Sequence, residues 1–297
     1  MNIGIIGLGR MGNAIAYRLL KAKHTVTGFD PSSESVAAAQ ALGVTCTKLI
    51  SDCVASADII WLMVPAGKAV DDTLAGIQGS IKKHATVIDG GNSFYKDSIV
   101  RAQNLARNNI SFLDCGTSGG LYGKEHGFSL MVGGEKDAYE KALPVFQAIA
   151  TPNGSAHVGP SGAGHFVKMV HNGIEYGLMQ AYAEGFHVLK QGPFQDLNLE
   201  QIATVWNHGA IIRSWLLELT SEIFSRGSSL EEISGAIGEN KTGQWTVLTA
   251  KEHGIPVNVI EEALKVRAWS RESGGNYATK LVAMMRHEFG GHEIKKV

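Results

Sequence analysis

The sequence has little cysteine, almost no net charge and no long apolar run, and each absence excludes a class of protein. Its three cysteines, Cys46, Cys53 and Cys115, cannot all pair and lack metal-ligand spacing, which is typical of a reducing cytosol. The formal net charge of -1 gives no field that would attract nucleic acid or a membrane surface. No uncharged apolar run approaches the roughly 20 residues of a membrane span, and the N-terminus shows no signal-peptide pattern. We therefore expect a soluble, cytoplasmic protein that binds neither nucleic acid nor membranes.

What the first half has instead is an alternation of short apolar runs with segments of helical composition. The strand candidates are 2–7, 25–30, 58–64, 85–91, 111–116 and 128–134, and helical segments such as 10–21 and 96–107 lie between them. Near-continuous apolar strands separated by helices are typical of a parallel sheet covered on both faces. From about residue 162 the helical patterns are 163–190, 198–209, 211–225, 229–238, 244–252, 257–270 and 275–288. The sequence predicts an α/β Rossmann-like N-terminal domain, 1–161, followed by an all-α C-terminal domain, 162–297.

The first strand leads directly into a glycine-rich turn and then into the first helix. Gly7, Gly9 and Gly12 match the pattern G-x-G-x-x-G, whose glycines allow a tight turn, a close pyrophosphate and close helix packing. Free N–H groups at a helix start also attract phosphates. The glycines could serve only the tight turn, but their position after a strand favours a dinucleotide site. Its predicted residues are Gly7, Leu8, Gly9, Arg10, Met11 and Gly12.

Asp30 ends the second strand, 18 positions after Gly12, where a carboxylate can hold the ribose hydroxyl groups of an adenosine. A 2'-phosphate would be repelled there, and the segment DPSSES (30–35) has no arginine or lysine to neutralise it. The sequence therefore favours NAD over NADP. The end of the next strand should run beside the cofactor, with Met63, Val64 and Pro65 as contacts. Lys68 could join them or could be a solvated helix residue.

Two further segments present polar groups at the carboxyl edge of the predicted sheet. Asn92, in IDGGNS, could contact nicotinamide and substrate, or could cap the following helix. Ser118, Gly119 and Gly120 offer a hydroxyl and clustered N–H groups that suit a carboxylate or a hydroxyl-rich ligand, or they form only a surface turn. The 11 histidines form no cluster with metal-ligand spacing, so no metal is expected.

The segment KMVHNGIEYG concentrates polar residues within an apolar helical pattern. Lys168, His171, Asn172 and Glu175 lie at i, i+3, i+4 and i+7, on one helical face, with Tyr176 on its flank. The face could be an exposed, salt-bridged one, but the apolar neighbours favour a buried helix with one polar stripe. Burial lowers the pKa of a lysine and raises that of a glutamate, which suits a base and an acid near neutral pH.

These motifs together resemble the 6-phosphogluconate dehydrogenases, within the β-hydroxyacid dehydrogenase superfamily. The resemblance extends from GLGRMG through IDGGNSFY, GTSGG, GFSLMVGG, GHFVKMVHNGIEYG and TGQWT to RHEFGGH. Relatives that oxidise 3-hydroxyisobutyrate or reduce tartronate semialdehyde continue from the lysine into Asn-Asn, so VKMVHNGIEYG discriminates best. The chain is similar to the short, often NAD-preferring branch. The familiar NADP-dependent enzymes are much longer, and they have Asn-Arg-Thr where this chain has Asp30-Pro31-Ser32.

The resemblance implies NAD-dependent oxidative decarboxylation of 6-phospho-D-gluconate to D-ribulose 5-phosphate and CO2, as in the pentose phosphate pathway and gluconate utilization. Lys168 would be the general base at the 3-hydroxyl, Glu175 would protonate C1, and Asn172 would belong to the same catalytic group. These three residues would also contact the substrate. The sugar acid would further be held by Asn92, Ser118, Gly119, Gly120 and His171, and its phosphate by Tyr176, Arg267, Arg286 and His292.

The resemblance also implies that the C-terminal tail completes the site of a partner subunit in a homodimer or homotetramer. Gly290 and Gly291 are expected to end the last helix and let His292 fold back. Without the resemblance, such a tail would be interpreted as frayed and solvated. Asn240, in NKTGQW, stands where the longer enzymes have a phosphate-contacting lysine, so a phosphate contact from Lys241 is left open.

Two other functions compete with this one. An NAD-dependent 3-hydroxyacid dehydrogenase of the 3-hydroxyisobutyrate or tartronate semialdehyde type would not decarboxylate. Glu175 and Arg286 speak against it, because a small unphosphorylated acid needs neither a proton donor at C1 nor a phosphate clamp. A regulatory protein that only senses NADH would have no reason to keep Lys168, Asn92 and Glu175.

Overall fold

The chain folds into two units, each with its own hydrophobic core. A computed structural model describes residues 1–227 and 229–296. The first unit is Met1–Met169, and the second begins at Val170. This division falls inside one long helix, and the domain boundary predicted between residues 161 and 162 stays a prediction.

The first unit is built on one twisted sheet of eight strands, counted within the described residues. The strands are β1 (Asn2–Ile6), β2 (Thr25–Phe29), β3 (Thr45–Cys46), β4 (Ile59–Leu62), β5 (Thr86–Asp89), β6 (Ser111–Ser118), β7 (Phe128–Gly134) and β8 (Ala150–Gly159). Their order across the sheet is β3-β2-β1-β4-β5-β6-β7-β8. The predicted parallel sheet is confirmed from β1 to β6, but β7 runs antiparallel to β6 and carries β8 parallel to itself.

Helices cover the sheet of the first unit. They are α1 (Arg10–Lys21), α2 (Ser33–Ala41), α3 (Ile50–Val54), α4 (Lys68–Ile77), α5 (Tyr95–Ala106), α6 (Gly123–His126) and α7 (Lys136–Ile149). Every residue of β4 is buried. Trp61 belongs to one apolar cluster, whereas its neighbours Ile60 and Leu62 belong to another. This alternation is expected of a strand covered on both faces.

The order of the strands decides where a ligand can bind. The connections after β1 and β2 move toward one edge of the sheet, whereas β4 lies on the other side of β1. Ligands of open α/β sheets bind at such a reversal, beyond the carboxyl ends of the strands. The glycine-rich turn follows β1, and the segments that begin at Met63, Gly90 and Gly119 follow β4, β5 and β6. All four segments therefore lie at the same edge.

The second unit is helical. Its elements are the later part of α8 (Ala163–Gln191), then α9 (Leu199–Gly209), α10 (Trp215–Ser225), α11 (Lys241–Glu252), α12 (Asn258–Ser273) and α13 (Tyr277–Gly290). Its core includes Phe186, Leu217, Phe224 and Leu281, all nearly inaccessible to solvent. Six of the seven predicted helices are thus confirmed, with small shifts at their ends.

The helix predicted at 229–238 is wrong. Gly235 packs so closely on Gly275 and Thr279 that a side chain there would collide with the threonine hydroxyl. Ile237 donates its N–H to the Ser270 hydroxyl at 3.1 Å. The backbone groups of this segment therefore bond to other elements, and these contacts override its helical pattern.

The face of α8 within the second unit is more exposed than its composition suggests. Ile174, Leu178 and Val188 are 54%, 44% and 69% exposed. The prediction of a helix buried except for one polar stripe is therefore wrong for this face. In the parts of the chain that the structure describes, no helix combines the length and apolarity that crossing a membrane requires.

Candidate active site

The glycine-rich turn between β1 and α1 has a shape that requires glycine at two positions. Gly7 has a positive φ of 95°, and a side chain there would collide with the Met63 carbonyl oxygen. A side chain at Gly12 would strike the Gly7 carbonyl oxygen. At Gly9, in contrast, an added Cβ would meet none of the described residues within 4 Å other than its chain neighbours. No side chain caps α1 at Gly9. Open space beside an uncapped helix start fits a pyrophosphate.

Asp30 lies directly after β2 with both carboxylate oxygens held by the backbone. One oxygen accepts the Leu8 N–H at 2.7 Å, and the other accepts the Ser32 N–H at 2.7 Å. The carboxylate is thereby fixed beside the glycine-rich turn. Its oxygens keep further lone pairs, which are suited to accept ribose hydroxyl groups. These residues fit the adenosine half of NAD.

The loop after β4 forms the neighbouring part of this edge. Met63 and Val64 are partly buried, and Pro65 is exposed. A Cβ built on Gly90 would lie 3.0 Å from the Met63 sulfur, and one built on Gly91 would lie 3.1 Å from the Val64 carbonyl oxygen. The loops after β4 and β5 therefore pack against each other through glycine.

A buried arginine that the sequence did not reveal ties these loops together. The Arg101 Nε donates to Asp71 at 2.7 Å, and a terminal nitrogen donates to the Gly67 carbonyl oxygen at 3.0 Å. The other terminal nitrogen lies 3.5 Å from Asp89, which accepts the Ser93 hydroxyl at 2.7 Å. Asp71 and Gly67 are 30 and 34 positions from Arg101 in the chain. No local motif could therefore have marked this residue.

Asn92 follows β5 and is exposed at the carboxyl edge, between the buried residues Gly91 and Ser93. The helix that follows has Phe94 as its N-cap, with no side-chain cap bond. Helix capping, the alternative role for Asn92, is therefore not seen. Its amide remains suited to contact a nicotinamide and a substrate.

The turn after β6 is shaped by two consecutive glycines. Gly119 and Gly120 have φ values of 137° and 52°, which residues with a side chain rarely adopt. Phe128, fully buried, packs beneath the turn, 3.1 Å from a Cβ built on Gly119. Ser118 is partly buried at the strand end. The turn thus presents one hydroxyl and adjoining backbone groups at the same edge as Asn92.

Lys168 lies in the first turns of α8, which pack on β6. A side chain on Gly116 would collide with the Lys168 Cβ, so this glycine allows the close approach. The Asp114 carboxylate accepts the N–H groups of Gly162 at 2.6 Å and His165 at 2.9 Å, which fixes the helix start. Lys168 is 7% exposed. The first unit thus places a mostly buried amine near the carboxyl end of β6.

In the second unit, a chain of hydrogen bonds joins α8 to the start of α11. The Asn172 amide donates to the Thr242 hydroxyl at 3.2 Å, and this hydroxyl donates to the side-chain oxygen of Asn240 at 2.5 Å. The Tyr176 hydroxyl donates to the same oxygen. Asn240 also caps α11. Thr242 and this role of Asn240 were missed in the sequence, although an asparagine before a helical pattern is a known start signal.

Glu175 continues the same side of α8. The His171 Nδ1 lies 3.0 Å from the Asn172 side-chain oxygen and 3.9 Å from a Glu175 oxygen. The His171 side chain is 43% exposed and that of Glu175 is 21% exposed. A histidine, an amide and a carboxylate are therefore adjacent, and the carboxylate keeps some access to solvent.

Two buried arginines lie beside Tyr176. The Arg267 guanidinium stacks on the tyrosine ring, 3.4 Å from its centroid. Arg267 is 2% exposed, and within the described parts of the chain both terminal nitrogens are buried without a hydrogen-bond partner. Burial lowers the pKa of Arg267 to about 10, and the like charge of Arg286 lowers it further. Tyr176 and Glu175 raise this pKa and offset part of the effect. Burial also lowers the pKa of Arg286. Tyr176, Arg267 and Arg286, called the anion cluster below, are suited to a multiply charged anion.

The C-terminal tail folds back at the predicted glycines. α13 ends at Gly290, and Gly291 follows in the left-handed conformation with a φ of 58°. The ring of His292 then lies against Gly290 and makes an edge contact with Phe289, with centroids 6.0 Å apart. The turn predicted from Gly290 and Gly291 is confirmed.

The rest of the tail pairs with its own chain. Ser234 donates its N–H to the Lys295 carbonyl oxygen at 2.8 Å, and Lys296 forms an antiparallel bridge with Ile233. A frayed, solvated tail therefore does not describe residues 291–296. Arg286 already lies within one chain's anion cluster, so a contribution of the tail to a partner's site stays a prediction.

Two lysines left open by the sequence are exposed. Lys68 pairs with Asp72 at 2.5 Å, and its side chain is 84% exposed, which is the arrangement of a solvated helix residue. Lys241 is the exposed first residue of α11. The described residues contain no group of three or more histidine, cysteine or acidic side chains that could hold a metal ion.

The fold and its glycine-rich turn define a dinucleotide-binding oxidoreductase, and comparisons with known proteins identify the family. Residues 2–160 match the NAD binding domain of 6-phosphogluconate dehydrogenase, and residues 164–296 match the C-terminal domain of that enzyme. A Haloferax volcanii protein named as NAD(+)-dependent, decarboxylating 6-phosphogluconate dehydrogenase is 47% identical, over 100% of this chain and 99% of its own. The chain belongs to the 6-phosphogluconate dehydrogenase family.

Longer and more distant proteins share the fold. A Bacillus subtilis NADP(+)-dependent, decarboxylating 6-phosphogluconate dehydrogenase is 37% identical. The match covers 89% of this chain but only 60% of that longer enzyme. The Plasmodium falciparum 6-phosphogluconate dehydrogenase structure has a TM-score of 0.83 and 29% identity, over 92% of this chain and 62% of its own. A Mycobacterium tuberculosis 3-hydroxyisobutyrate dehydrogenase has a TM-score of 0.78 at 22% identity, over 96% and 99% of the two chains. This last likeness concerns the fold alone.

Proposed function

We propose that this enzyme oxidises and decarboxylates 6-phospho-D-gluconate to D-ribulose 5-phosphate and CO2, with NAD as its cofactor. The observation that carries the proposal is the anion cluster, in which Arg267 is buried and neither terminal nitrogen has a hydrogen-bond partner among the described residues. A buried, unpaired guanidinium is costly unless an anion binds it. A phosphorylated sugar acid supplies a multiply charged phosphate as well as its carboxylate, whereas 3-hydroxyisobutyrate has only a single carboxylate. The name of the Haloferax volcanii relative agrees with this choice.

The preference for NAD over NADP rests on Asp30. Its two oxygens are held beside the glycine-rich turn by the N–H groups of Leu8 and Ser32. A 2'-phosphate on the adenosine would meet this negative charge, and residues 31–35 include no cation to offset it.

Lys168 is the proposed general base. When bound, NAD supplies the hydride acceptor for C3 of the sugar acid. The buried amine of Lys168 would take the proton from the 3-hydroxyl group while C3 gives up its hydride, and the loss of both would leave a 3-keto acid. Such an acid loses CO2 readily, because its carbonyl group accepts the electrons of the breaking bond. The protonated lysine then stabilises the resulting enolate oxygen by a charge-assisted hydrogen bond.

Glu175 is the proposed acid that protonates C1 of the enediol and so completes ribulose 5-phosphate. It is seven positions from Lys168 on one α-helix, and its partial exposure allows a proton to be replaced from solvent. Asn172 and His171 adjoin it and would hold hydroxyl groups of the sugar acid. We propose that these groups and Lys168 line one active site.

The remaining predicted residues would orient the substrate. Asn92, Ser118 and the N–H groups of Gly119 and Gly120 would hold its carboxylate and hydroxyl groups. The anion cluster and His292 would hold the phosphate. Arg267 and Arg286 can make the bidentate contacts that phosphoryl oxygens favour.

We further propose a homodimer or homotetramer in the cytoplasm, with a role in pentose phosphate or gluconate metabolism. The support for assembly is the apolar face of α8, where Ile174, Leu178 and Val188 are exposed. Light scattering during size-exclusion chromatography measures the mass directly, and a monomer at micromolar concentration would contradict the assembly.

Steady-state kinetics test the activity. With 6-phosphogluconate and NAD, we expect equal amounts of NADH and CO2. NADH formation from 3-hydroxyisobutyrate or glycerate, without formation from 6-phosphogluconate, would contradict the proposed substrate. NADH formation from 6-phosphogluconate without CO2 would contradict decarboxylation. A higher kcat/KM with NADP would contradict the role of Asp30.

Two variants separate the proton-transfer roles. Lys168→Met should abolish hydride transfer even in the first turnover. Glu175→Gln should leave the first turnover fast and slow the later steps, since protonation of C1 follows oxidation. Equal loss of the first turnover in both variants would contradict the assignment of base and acid.

A further inference from the structure

Asn13 connects two segments that border the expected adenosine site. It lies in the first turn of α1, and its Nδ2 donates to the Leu8 carbonyl oxygen at 2.5 Å and to the Ser35 carbonyl oxygen at 3.4 Å. The side-chain oxygen of Asn13 is buried and has no partner among the described residues. A buried acceptor without a partner is costly, so the two bonds to carbonyl groups must favour this arrangement.

The chemistry of the neighbours fixes the orientation of this amide. If the amide were turned over, its oxygen would face the carbonyl oxygens of Leu8 and Ser35, and the contacts would be repulsive. Only the NH2 group can face both. Asn13 is therefore a double donor that links the glycine-rich turn to the start of α2.

This link closes a ring of bonds around Asp30. The peptide groups of Leu8 are held on both sides, because its carbonyl oxygen accepts from Asn13 and its N–H donates to Asp30 at 2.7 Å. The other Asp30 oxygen accepts the Ser32 N–H at 2.7 Å, and the Ser32 hydroxyl accepts the Ser35 N–H at 3.3 Å. The carboxylate cannot rotate away without leaving backbone N–H groups unpaired.

We propose that Asn13 is a specificity-determining residue, which latches the glycine-rich turn to the start of α2 and thereby keeps the Asp30 charge facing the adenosine ribose. This inference rests on the proposed preference for NAD. A carboxylate free to turn outward could yield to a 2'-phosphate, whereas one held on both oxygens continues to repel it. Discrimination against NADP therefore depends on a neutral amide that touches neither the charge nor the phosphate.

Binding of NADH and NADPH, measured by fluorescence titration without substrate, tests the inference. The variants are Asn13→Ala and Asn13→Leu. Leucine has the branched outline of asparagine and removes the unpaired side-chain oxygen, and in both variants the Leu8 and Ser35 carbonyl oxygens lose the amide donor. The ratio of the NADPH to the NADH dissociation constant should fall roughly five- to tenfold in both, the size of one lost hydrogen bond. Gln40→Ala, which removes an exposed amide from α2, should leave the ratio unchanged.

The outcomes distinguish this inference from the proposed function. Equal weakening of NADH and NADPH binding in the Asn13 variants would show a merely structural role and overturn the latch. A wild-type protein without preference for NADH would overturn both the cofactor proposal and the latch. Because no substrate is present, a wrong choice of sugar acid would change neither result. Thermal unfolding of each variant checks that it is folded, and the leucine variant carries the test if the alanine variant is not.

Discussion

The cofactor edge of the first unit is made chiefly of backbone, whereas the anion cluster of the second unit is made of two arginine side chains and a tyrosine ring. In the glycine-rich turn, Gly9 has empty space where another residue would have a side chain. In the anion cluster, Arg267 fills its space, and its buried terminal nitrogens have no hydrogen-bond partner in the described part of the chain. A ligand can therefore bind at the first site with little conflict with folding. At the second, binding and stability are opposed, because a buried cation destabilises the fold until an anion arrives.

The largest expected effects are those of adding one methyl group to the glycine-rich turn. Gly12→Ala would drive its Cβ into the Gly7 carbonyl oxygen, so both stability and NAD binding should be lost. We expect a loss of about 3 kcal/mol in the free energy of unfolding, since overpacking against rigid backbone costs this much. Thermal unfolding and NADH titration measure the two quantities.

Gly9→Ala is the matched control for this change. Its Cβ would meet no described atom within 4 Å beyond its chain neighbours, so the melting temperature should stay close to that of the wild type. NADH affinity should nevertheless fall more than about tenfold, because the methyl group would occupy the approach of the pyrophosphate. If Gly9→Ala bound NADH normally, the open space at this glycine would not be the phosphate site.

Arg267→Met should weaken substrate binding and, unlike the glycine variants, should raise the stability of the protein. Removing the guanidinium should raise the KM for 6-phosphogluconate by about 100-fold, the size expected when a charge-assisted contact to phosphate is lost. The melting temperature without substrate should rise, because methionine fills a similar volume without an unpaired charge, although the stacking on Tyr176 is lost. Kinetics and calorimetry of the same preparation measure both.

Arg267→Lys sharpens the same comparison. It keeps the charge and loses the flat, two-pronged donor, so the KM should rise less than in the methionine variant and the melting temperature should not increase. A methionine variant less stable than the wild type would show that the cation contributes to folding. The contrast between the two units would then fail.

An inorganic anion should stabilise the wild type more than the Arg267→Met variant. At a sulfate concentration about ten times its dissociation constant, binding to the folded state adds about 1.4 kcal/mol. In a chain of this size that is a rise of a few degrees in melting temperature. Sulfate stabilises proteins in general, so the readout is the difference between wild type and variant, with chloride at equal ionic strength as reference. Equal shifts in melting temperature in both proteins would show that sulfate does not bind at the anion cluster.

The sequence predicted the elements whose cause is local. The apolar runs of β1, β2, β4, β5, β6 and β7 and the helix patterns of α8 to α13 are properties of single segments. β3 is only two residues long, and β8 contains Pro152, Asn153 and Gly154, which are rare inside strands. The antiparallel direction of β7 depends on its pairing with β6, which no pattern within the strand encodes.

The candidate site divides in the same way. Gly7, Gly9, Gly12 and Asp30 were accessible because their spacing within one βα unit has a fixed geometric meaning. The roles of Asn13 and Arg101 became visible only in the fold, since each depends on partners from another element. Lys168 could be singled out because it is a lysine within an apolar helical pattern. Gly116, against which its Cβ packs, is 52 positions earlier in the chain and could not be. Long-range packing was the missing information.

The smallest expected effect concerns Asn240, whose role was also hidden by distance in the sequence. Asn240→Ala removes the cap of α11 and the acceptor of the Tyr176 hydroxyl, so the free energy of unfolding should fall by about 1 kcal/mol. Asn240→Ser can still cap the helix but is too short to reach the tyrosine, so it should recover most of this stability. The KM for 6-phosphogluconate should rise a few-fold in both variants if Asn240 acts on the anion cluster through Tyr176. If serine restores both stability and KM, the anion cluster does not depend on the hydrogen bond between Tyr176 and Asn240. Substrate binding by the cluster would then rest on its two arginines.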